Sequence, residues 1–321
     1  MSDTSYAYAV ARIRSKELSL MSEQDIAQLM ACRSYQECLD LLAGKGWDVS
    51  LQNAEEMLAS ERDKTWHLIA ELVEDLSVFN VFLIPNDYHN LKAAIKQISA
   101  EVVTPQIFIE QGTVPHERII QAVKENDFSL LPEQMRPAAK EAYEMMLHTN
   151  DGQLSDIIVD KATLEAMVLA GKASKNELID KYAELMVASI DIKIAVRCQK
   201  MGKDQFFINR ALAHCDSIDT GQLGTAAAQG INEIYNYLER TDYAAAITAI
   251  KKSTSAFEQW CDNLIIATIR PQKYNPFTIA PLVAYILARE YEIKSVRIIL
   301  SGKLNNLSDE SVQERVRATY V

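Results

Sequence analysis

Four Gly-Lys dipeptides, one acid–histidine pair and five scattered cysteines are the residues whose type and spacing could do chemistry. The Gly-Lys pairs begin at Gly44, Gly171, Gly202 and Gly302. A phosphate-cradling loop needs another Gly five residues earlier and Ser or Thr directly after the Lys. Here the following residues are Gly46, Ala173, Asp204 and Leu304. The pairs read instead as helix C-termini, with Gly in the left-handed cap and Lys at the negative end of the helix dipole. Glu144 and His148 stand at i and i+4, but a helical metal site takes Glu-x-x-His from each of two helices. No second copy exists, so a surface helix pair is expected. Cys32, Cys38, Cys198, Cys215 and Cys261 are odd in number and lack a Cys-x-x-Cys. They read as buried, inert thiols of a reducing compartment. There is no Gly-x-Ser-x-Gly elbow, and Asp156 and Asp160 bracket apolar Ile157-Ile158-Val159, which is no paired-Asp diphosphate motif. No catalytic, cofactor-binding or metal-binding residue is expected, and no cofactor.

What recurs is a cation. Lys92, Lys193 and Lys294 each follow an acid or amide by two positions and precede a second cation, Lys96, Arg197 or Arg297. Lys92, Lys193, Arg197, Lys294 and Arg297 are therefore the candidate partner-binding residues. Two readings stay open. One is a solvated helix face, with Glu290 and Lys294 at i and i+4 contributing about 0.2–0.5 kcal/mol. The other is that three related cationic helices converge on one surface that recognises an acidic partner and sets its orientation.

The elements that carry these cations repeat. Asn90-Leu91-Lys92 returns as Asp191-Ile192-Lys193 and again as Glu292-Ile293-Lys294, each 101 residues after the last. Fixed-period self-similarity sets architecture before any local reading. Val81, Tyr182 and Val283 share a column, as do Ile84, Leu185 and Ile286. With Leu91, Ile192 and Ile293 they trace one helical stripe. Val196-Arg197 and Val296-Arg297 lead to Gly202-Lys203 and Gly302-Lys303. A second box follows at unequal spacing: Gly112-Thr113-Val114, Asp216-Ser217-Ile218 and Asn306-Leu307-Ser308. The expected organisation is three helical repeats, 1–110, 111–215 and 216–321. A closed assembly would complete one copy from both termini, so the first helix is a candidate to pack with the last copy.

Composition points to helices with short connections. Apolar residues make up 48% and charged residues 24%, while Gly and Pro number only 10 and 8, about half of ordinary usage. No stretch shows sustained period-two alternation, so the expected class is all-α. Ser22 with Asp25 reads as a helix start, Ser34 as another, and 52–82 as a long amphipathic stretch. Pro85 is expected to interrupt it and start the first repeat helix at 87–101. Ser155 and Ser174 read as caps, Gly171 as a helix end, Thr149–Gly152 as a loop, and Arg270 to Pro276 as a linker.

Net charge is −11. That argues against nucleic acid, whose phosphates need clustered Lys and Arg, and against anionic lipid surfaces. The apolar stretch Ala280 to Ala288, ten residues when Ile279 is included, contains Pro281; a membrane span needs about 20. Met1-Ser2-Asp3-Thr4-Ser5 has no basic-then-apolar signal pattern.

Several stretches resemble one family. Pro281-Leu282-Val283-Ala284-Tyr285-Ile286-Leu287-Ala288-Arg289-Glu290, continuing through Glu292-Ile293-Lys294-Ser295-Val296-Arg297 to Gly302-Lys303-Leu304, is similar to the C-terminal motif of the C subunit of the prokaryotic V-type (A-type) ATPase, whose family includes the d subunit of the eukaryotic V-ATPase. Tyr6–Arg14, Asp87–Lys92, Ser155–Lys161 and Glu314–Val321 resemble other parts of it. Tyr291 departs from the smaller or polar residue expected there. The resemblance implies three related helical bundles with pseudo-threefold symmetry forming a funnel or socket. It implies a non-catalytic central-stalk rotor part, with the D and F subunits of the central axle and the membrane rotor ring of proteolipid subunits as its partners. It implies a cytoplasmic position, peripheral on the inner face of the cell membrane. Whether the ion is proton or sodium, and whether the complex runs as synthase or pump, is left open. The alternatives are an unrelated helical-repeat adaptor, which would stack open-ended, and a helical enzyme, which would need a pocket of perturbed titratable groups.

Overall fold

The computed structural model describes residues 6–51, 53–100, 107–149 and 152–321. Every regular element among them is helical. In chain order the helices are α1 (Ala7–Glu17), α2 (Glu23–Ala31), α3 (Tyr35–Gly44), α4 (Ala54–Leu72), α5 (Asn80–Ala100), α6 (His116–Glu125), α7 (Arg136–Thr149), α8 (Gly152–Ala173), α9 (Glu177–Lys200), α10 (Gln205–Ala211), α11 (Thr220–Gln229), α12 (Ile231–Leu238), α13 (Ala246–Lys252), α14 (Thr254–Ile269), α15 (Ala280–Leu304) and α16 (Asp309–Gln313). Local chemistry sets many of the boundaries. Ser22 and Asp25 form a reciprocal capping box at α2, as their spacing predicts. Ser34, Asn53, Asn176, Asp204, Asp219, Ser253 and Ser308 each accept a first-turn backbone N–H. Gly230, at φ 147°, separates α11 from α12, a conformation open to Gly because it has no Cβ.

The chain divides into two compact units. The first joins the described residues up to Leu76 with Thr248–Val321. Its axis is α15, which packs against α1, α2, α3, α4, α14 and α16. Leu29, Cys38, Leu42, Met57 and Leu58 from the N-terminal arm close one apolar cluster with Ile293, Val296, Ile299 and Leu300 of α15. The N-terminal helices thus complete the unit that contains the third repeat helix. The second unit, Ser77–Ile247, is layered around α8, which packs between α5, α7 and α9, while α9 in turn carries α10, α11 and α12.

Several boundaries differ from expectation for packing reasons. Pro85 lies inside α5. The missing N–H removes one helical bond near the start, and the helix continues because Val81, Ile84, Tyr88 and Leu91 are all buried on its inner face. Ser155 is no cap; it sits inside α8, buried, and donates to the Ala142 carbonyl at 3.0 Å. Asn176, not Ser174, caps α9. The expected linker from Arg270 begins as a 3-10 turn, Arg270–Tyr274, whose Gln272 carbonyl accepts from Arg14, as does that of Asn275. The 52–82 stretch ends as an α-helix at Leu72. Part of the Thr149–Gly152 loop, the end of the 87–101 helix and Pro105 lie outside the described residues.

All four Gly-Lys pairs lie at helix C-termini, but the left-handed Gly holds at one position of four. Gly202 adopts φ 64° and closes α9. At the first pair it is Gly46, not Gly44, that is left-handed, at φ 86°. Gly171 and Gly302 are inside helices, where small size, not backbone freedom, is what the packing uses. A Cβ on Gly171 would come within 2.8 Å of the Ala183 Cβ at the α8–α9 crossing. Gly171→Ala is accordingly expected to lower the melting temperature. Overpacking of about 1–3 kcal/mol outweighs the ~1 kcal/mol of helix propensity gained. Adding Ala183→Gly should recover the loss; unchanged melting of the single variant would contradict this crossing.

Candidate functional site

The first position of the repeated tripeptide points inward in all three copies. Asn90, Asp191 and Glu292 are 0%, 0% and 8% exposed, and each binds backbone of a segment that connects helices. The Asn90 amide takes the Ile109 N–H and donates to the Ile109 carbonyl, both at 2.8 Å. Asp191 Oδ1 accepts the Ala213 N–H at 3.0 Å. Glu292 Oε2 accepts the Met21 N–H at 2.5 Å. A buried polar group is stable only when bonded, so these contacts fix where each connecting segment runs. In copies one and two that segment follows the repeat helix. In copy three the N-terminal residue Met21 occupies its place.

Neighbouring side chains reinforce each brace. Asp87 accepts the Thr113 and Val114 N–H groups at 2.9 and 3.1 Å; burial nevertheless raises its carboxyl above the ordinary range. Glu184 accepts the Ser217 N–H at 2.6 Å, and Ser217 pairs with the Tyr243 hydroxyl. The first two boxes therefore hang from acids on α5 and α9. The third does not. Asn306 (φ 51°) and Leu307 form the C-terminal turn of α15, and Ser308 caps α16. The counterpart of that turn is Gly202 to Asp204, not Asp216 to Ile218.

The candidate cations sit one residue pair further along the same helices. Lys92 meets Asp160 of α8 at 2.5 Å, and Lys294 meets Asp262 of α14 at 2.5 Å. Asp160 lies 68 residues after Lys92 and Asp262 lies 32 residues before Lys294, so the two acids come from different places in the chain and do not follow the period of the lysines. Lys193 is half-buried on α9 and Arg197 is exposed. Arg297 reaches Glu55 of α4 at 2.7 Å, with both side chains well exposed. Lys92, Lys193 and Arg197 thus belong to the second unit, Lys294 and Arg297 to the first. Glu290 does not take Lys294; it pairs with Arg62 at 3.0 Å, because Asp262 offers a less exposed partner. Tyr291 is buried, its ring 5.9 Å from the Lys294 ammonium.

Two buried ion clusters went unread in the sequence. Arg289 joins Glu61 at 2.6 Å and also Glu292, all three side chains under a tenth exposed. Arg317 binds the Asp262 oxygen that Lys294 also uses, at 2.6 Å. A charged residue interrupting an apolar helical stripe, as Glu61 and Arg289 do, is the signal that could have found them. All five cysteines are buried and free, and burial pushes Cys38 and Cys215 up to about 12, which suppresses the nucleophilic thiolate. Glu144 pairs loosely with Lys140 on the surface. Among the described residues no group of three or more His, Cys, Asp or Glu side chains is placed to share a metal ion.

The chain matches the family model described as ATP synthase (C/AC39) subunit over residues 9–315. It is 23% identical to the C subunit of the A-type ATP synthase of Methanocaldococcus jannaschii, over 96% of this chain and 85% of that one. It is 22% identical to the C subunit of the V-type sodium ATPase of Enterococcus hirae, over 96% and 97%. A third relative is the C subunit of the A-type ATP synthase of a Desulfurococcus species, 24% identical over 97% and 90%. A match that spans nearly the whole chain, repeats and braces included, leads to one conclusion: this chain belongs to the ATP synthase (C/AC39) subunit family, which holds the C subunits of A-type and V-type ATPases.

Proposed function

We propose that this chain is a non-catalytic rotor part of an A/V-type ATPase, a socket that receives the foot of the D–F axle and seats it on the membrane rotor ring. ATP-driven rotation would pass through it to proton or sodium transport. The observation that carries the reading is the brace repeated at one helical position in three copies. A part that transmits torque must resist bending, and buried side chains bonded to backbone tie each long helix to its neighbours. Family membership supplies the complex. The proposal includes three related bundles, near 1–110, 111–215 and 216–321, set around one axis. No helix among the described residues is long and apolar enough to cross a membrane, so contact with the ring would be made at a surface, on the cytoplasmic side.

Native mass spectrometry of the protein released with its neighbours in mild detergent tests this. Travel with a D–F pair and a proteolipid ring, one copy per complex, is expected. Isolation alone or with unrelated proteins would overturn it. The repeated cations make a second test. Arg197 is exposed and Arg297 holds only a well-exposed ion pair, worth at most about 1 kcal/mol. Arg197→Glu with Arg297→Glu should leave melting nearly unchanged and slow association with the axle about tenfold or more at low salt. Unaltered association kinetics would remove the cations from the partner surface.

A further inference from the structure

The three copies solve one physical problem in three ways, and the second solution is incomplete without a proton. At the buried polar position, copy one places a neutral amide, and Asn90 satisfies both its oxygen and its nitrogen on Ile109. Copy three places an acid but sets Arg289 beside it. Copy two places Asp191, and the residue one repeat before Arg289 is Ala188. Asp191 is 0% exposed. Its Oδ1 has the Ala213 N–H, and its Oδ2 is buried with no hydrogen-bond partner.

The charged surroundings do not compensate. From α8, Lys161 and Glu165 act on Asp191, and from α9 itself Glu184 does. Lys161 stands within 4.0 Å of Glu165. The segment after α10 brings Cys215, while Arg210 of α10 is engaged by Glu141 at 2.6 Å. α11 carries no titratable side chain. From α12, Tyr237 faces Cys215 and Asp219, and beyond it Tyr243 faces Glu184 and Cys215. One lysine thus stands against two glutamates.

We propose that Asp191 is a proton-binding site: the folded bundle holds it as the neutral acid, and loss of that proton releases the segment Leu212–Asp219 from α9. A carboxylic O–H at Oδ2 reproduces the donor that the Asn90 amide supplies in copy one. Burial, outweighing the Ala213 hydrogen bond, places the carboxyl at about 8. The ordinary aspartate value is about 3.9. A raised folded value means that the stabilisation is fully present in acid, below the unfolded value, and is lost as pH rises through about 8. Opening the segment exposes the carboxyl, which then ionises. Each opening event between those limits therefore releases one proton.

Hydrogen exchange of the intact chain reads this directly at the amides of 212–219, Ala213 above all. After correction for the intrinsic pH dependence of exchange, the opening equilibrium should rise about tenfold per pH unit between pH ~5.5 and ~7.5 and level off above ~8. In Asp191→Asn the same amides should be flat with pH and at least as protected as in the parent at neutral pH. The parent-minus-variant infrared difference spectrum near neutrality should show the band of one protonated carboxylic acid, a readout that does not depend on stability and that cancels other raised carboxyls such as Asp87 and Glu292. A flat profile in the parent, a parental slope in Asp191→Asn, or absence of the acid band from the difference spectrum would each overturn the proposal.

Discussion

Arg289→Met should destabilise the first unit by about 3–5 kcal/mol, the loss typical when one member of a buried ion cluster is removed. The Arg289 guanidinium is shared between Glu61 and Glu292 and lies 5.5 Å from the Trp47 ring. Methionine fills similar space, so the loss reports charge and not a cavity. Two carboxylates would remain buried, with Lys64 at the edge as the nearby cation for Glu61. All three tryptophans, Trp47, Trp66 and Trp260, belong to this unit. Tryptophan fluorescence during urea unfolding therefore follows it separately from the second unit. The pH dependence has a defined sign. Burial already raises the Glu292 carboxyl despite Arg289, and removing the arginine raises it further. A group raised in the folded state stabilises in acid and loses that stabilisation as pH rises through its folded value. The deficit of Arg289→Met should thus be smaller at pH ~5 than at pH ~8. Adding Glu61→Gln and Glu292→Gln should recover most of it. A single-variant loss below ~1 kcal/mol at pH 8 would mean that water reaches the cluster.

How much of this was legible follows from what kind of information each contact needs. The capping box at Ser22 is local: three residues of spacing and two side-chain types define it, and it formed as read. The helical stripe and the 101-residue period were also legible, because both are spacings. The inward turn of Asn90, Asp191 and Glu292 was half-legible. An acid or amide recurring before Leu91, Ile192 and Ile293 was visible, but its bonds end on backbone N–H groups of Ile109, Ala213 and Met21. A backbone N–H carries no residue label, so sequence could not name the partner. At Gly171 and Gly302 the helix end was legible but the left-handed cap was not, for a related reason: the Gly-Lys pattern is the same whether Gly turns the chain or admits Ala183 or Val312 against its backbone. Glu290 suggests itself as a partner of Lys294 in the solvated-face reading because it is near in sequence; Asp262, 32 residues away, is the partner instead because it is nearly buried and already faces α15.

Asp262→Ala should match Arg289→Met in size, about 3–5 kcal/mol, but not in pH dependence. Asp262 Oδ2 accepts from both Arg317, whose side chain is 3% exposed, and Lys294, whose side chain is 44% exposed. Removing the carboxylate leaves the arginine buried without a counter-charge. An arginine cannot shed its proton in the accessible range, so the deficit should persist unchanged from pH ~5 to ~8. Lys294→Met takes away the solvent-facing partner alone and should cost no more than about 1 kcal/mol. The consequence of Asp262→Ala should be focused on the start of the C-terminal tail around Arg317, whose N–H donates to Ser295 Oγ beside Ala318 N–H on Asn263 Oδ1. Gln259 on the Val316 carbonyl, Arg270 on the Thr319 carbonyl and the Tyr320 hydroxyl on Glu17 also hold the tail. Limited proteolysis should cut between Arg315 and Val321 well before the rest of the unit opens. Comparable losses from Lys294→Met and Asp262→Ala would show that the lysine, not the buried arginine, is what the aspartate holds. The contrast also separates fold from assembly. Lys294→Met, expected to be nearly neutral for stability, is the variant that tests the proposed axle contact apart from folding, whereas any loss of that proposed binding in Asp262→Ala would follow from the freed tail.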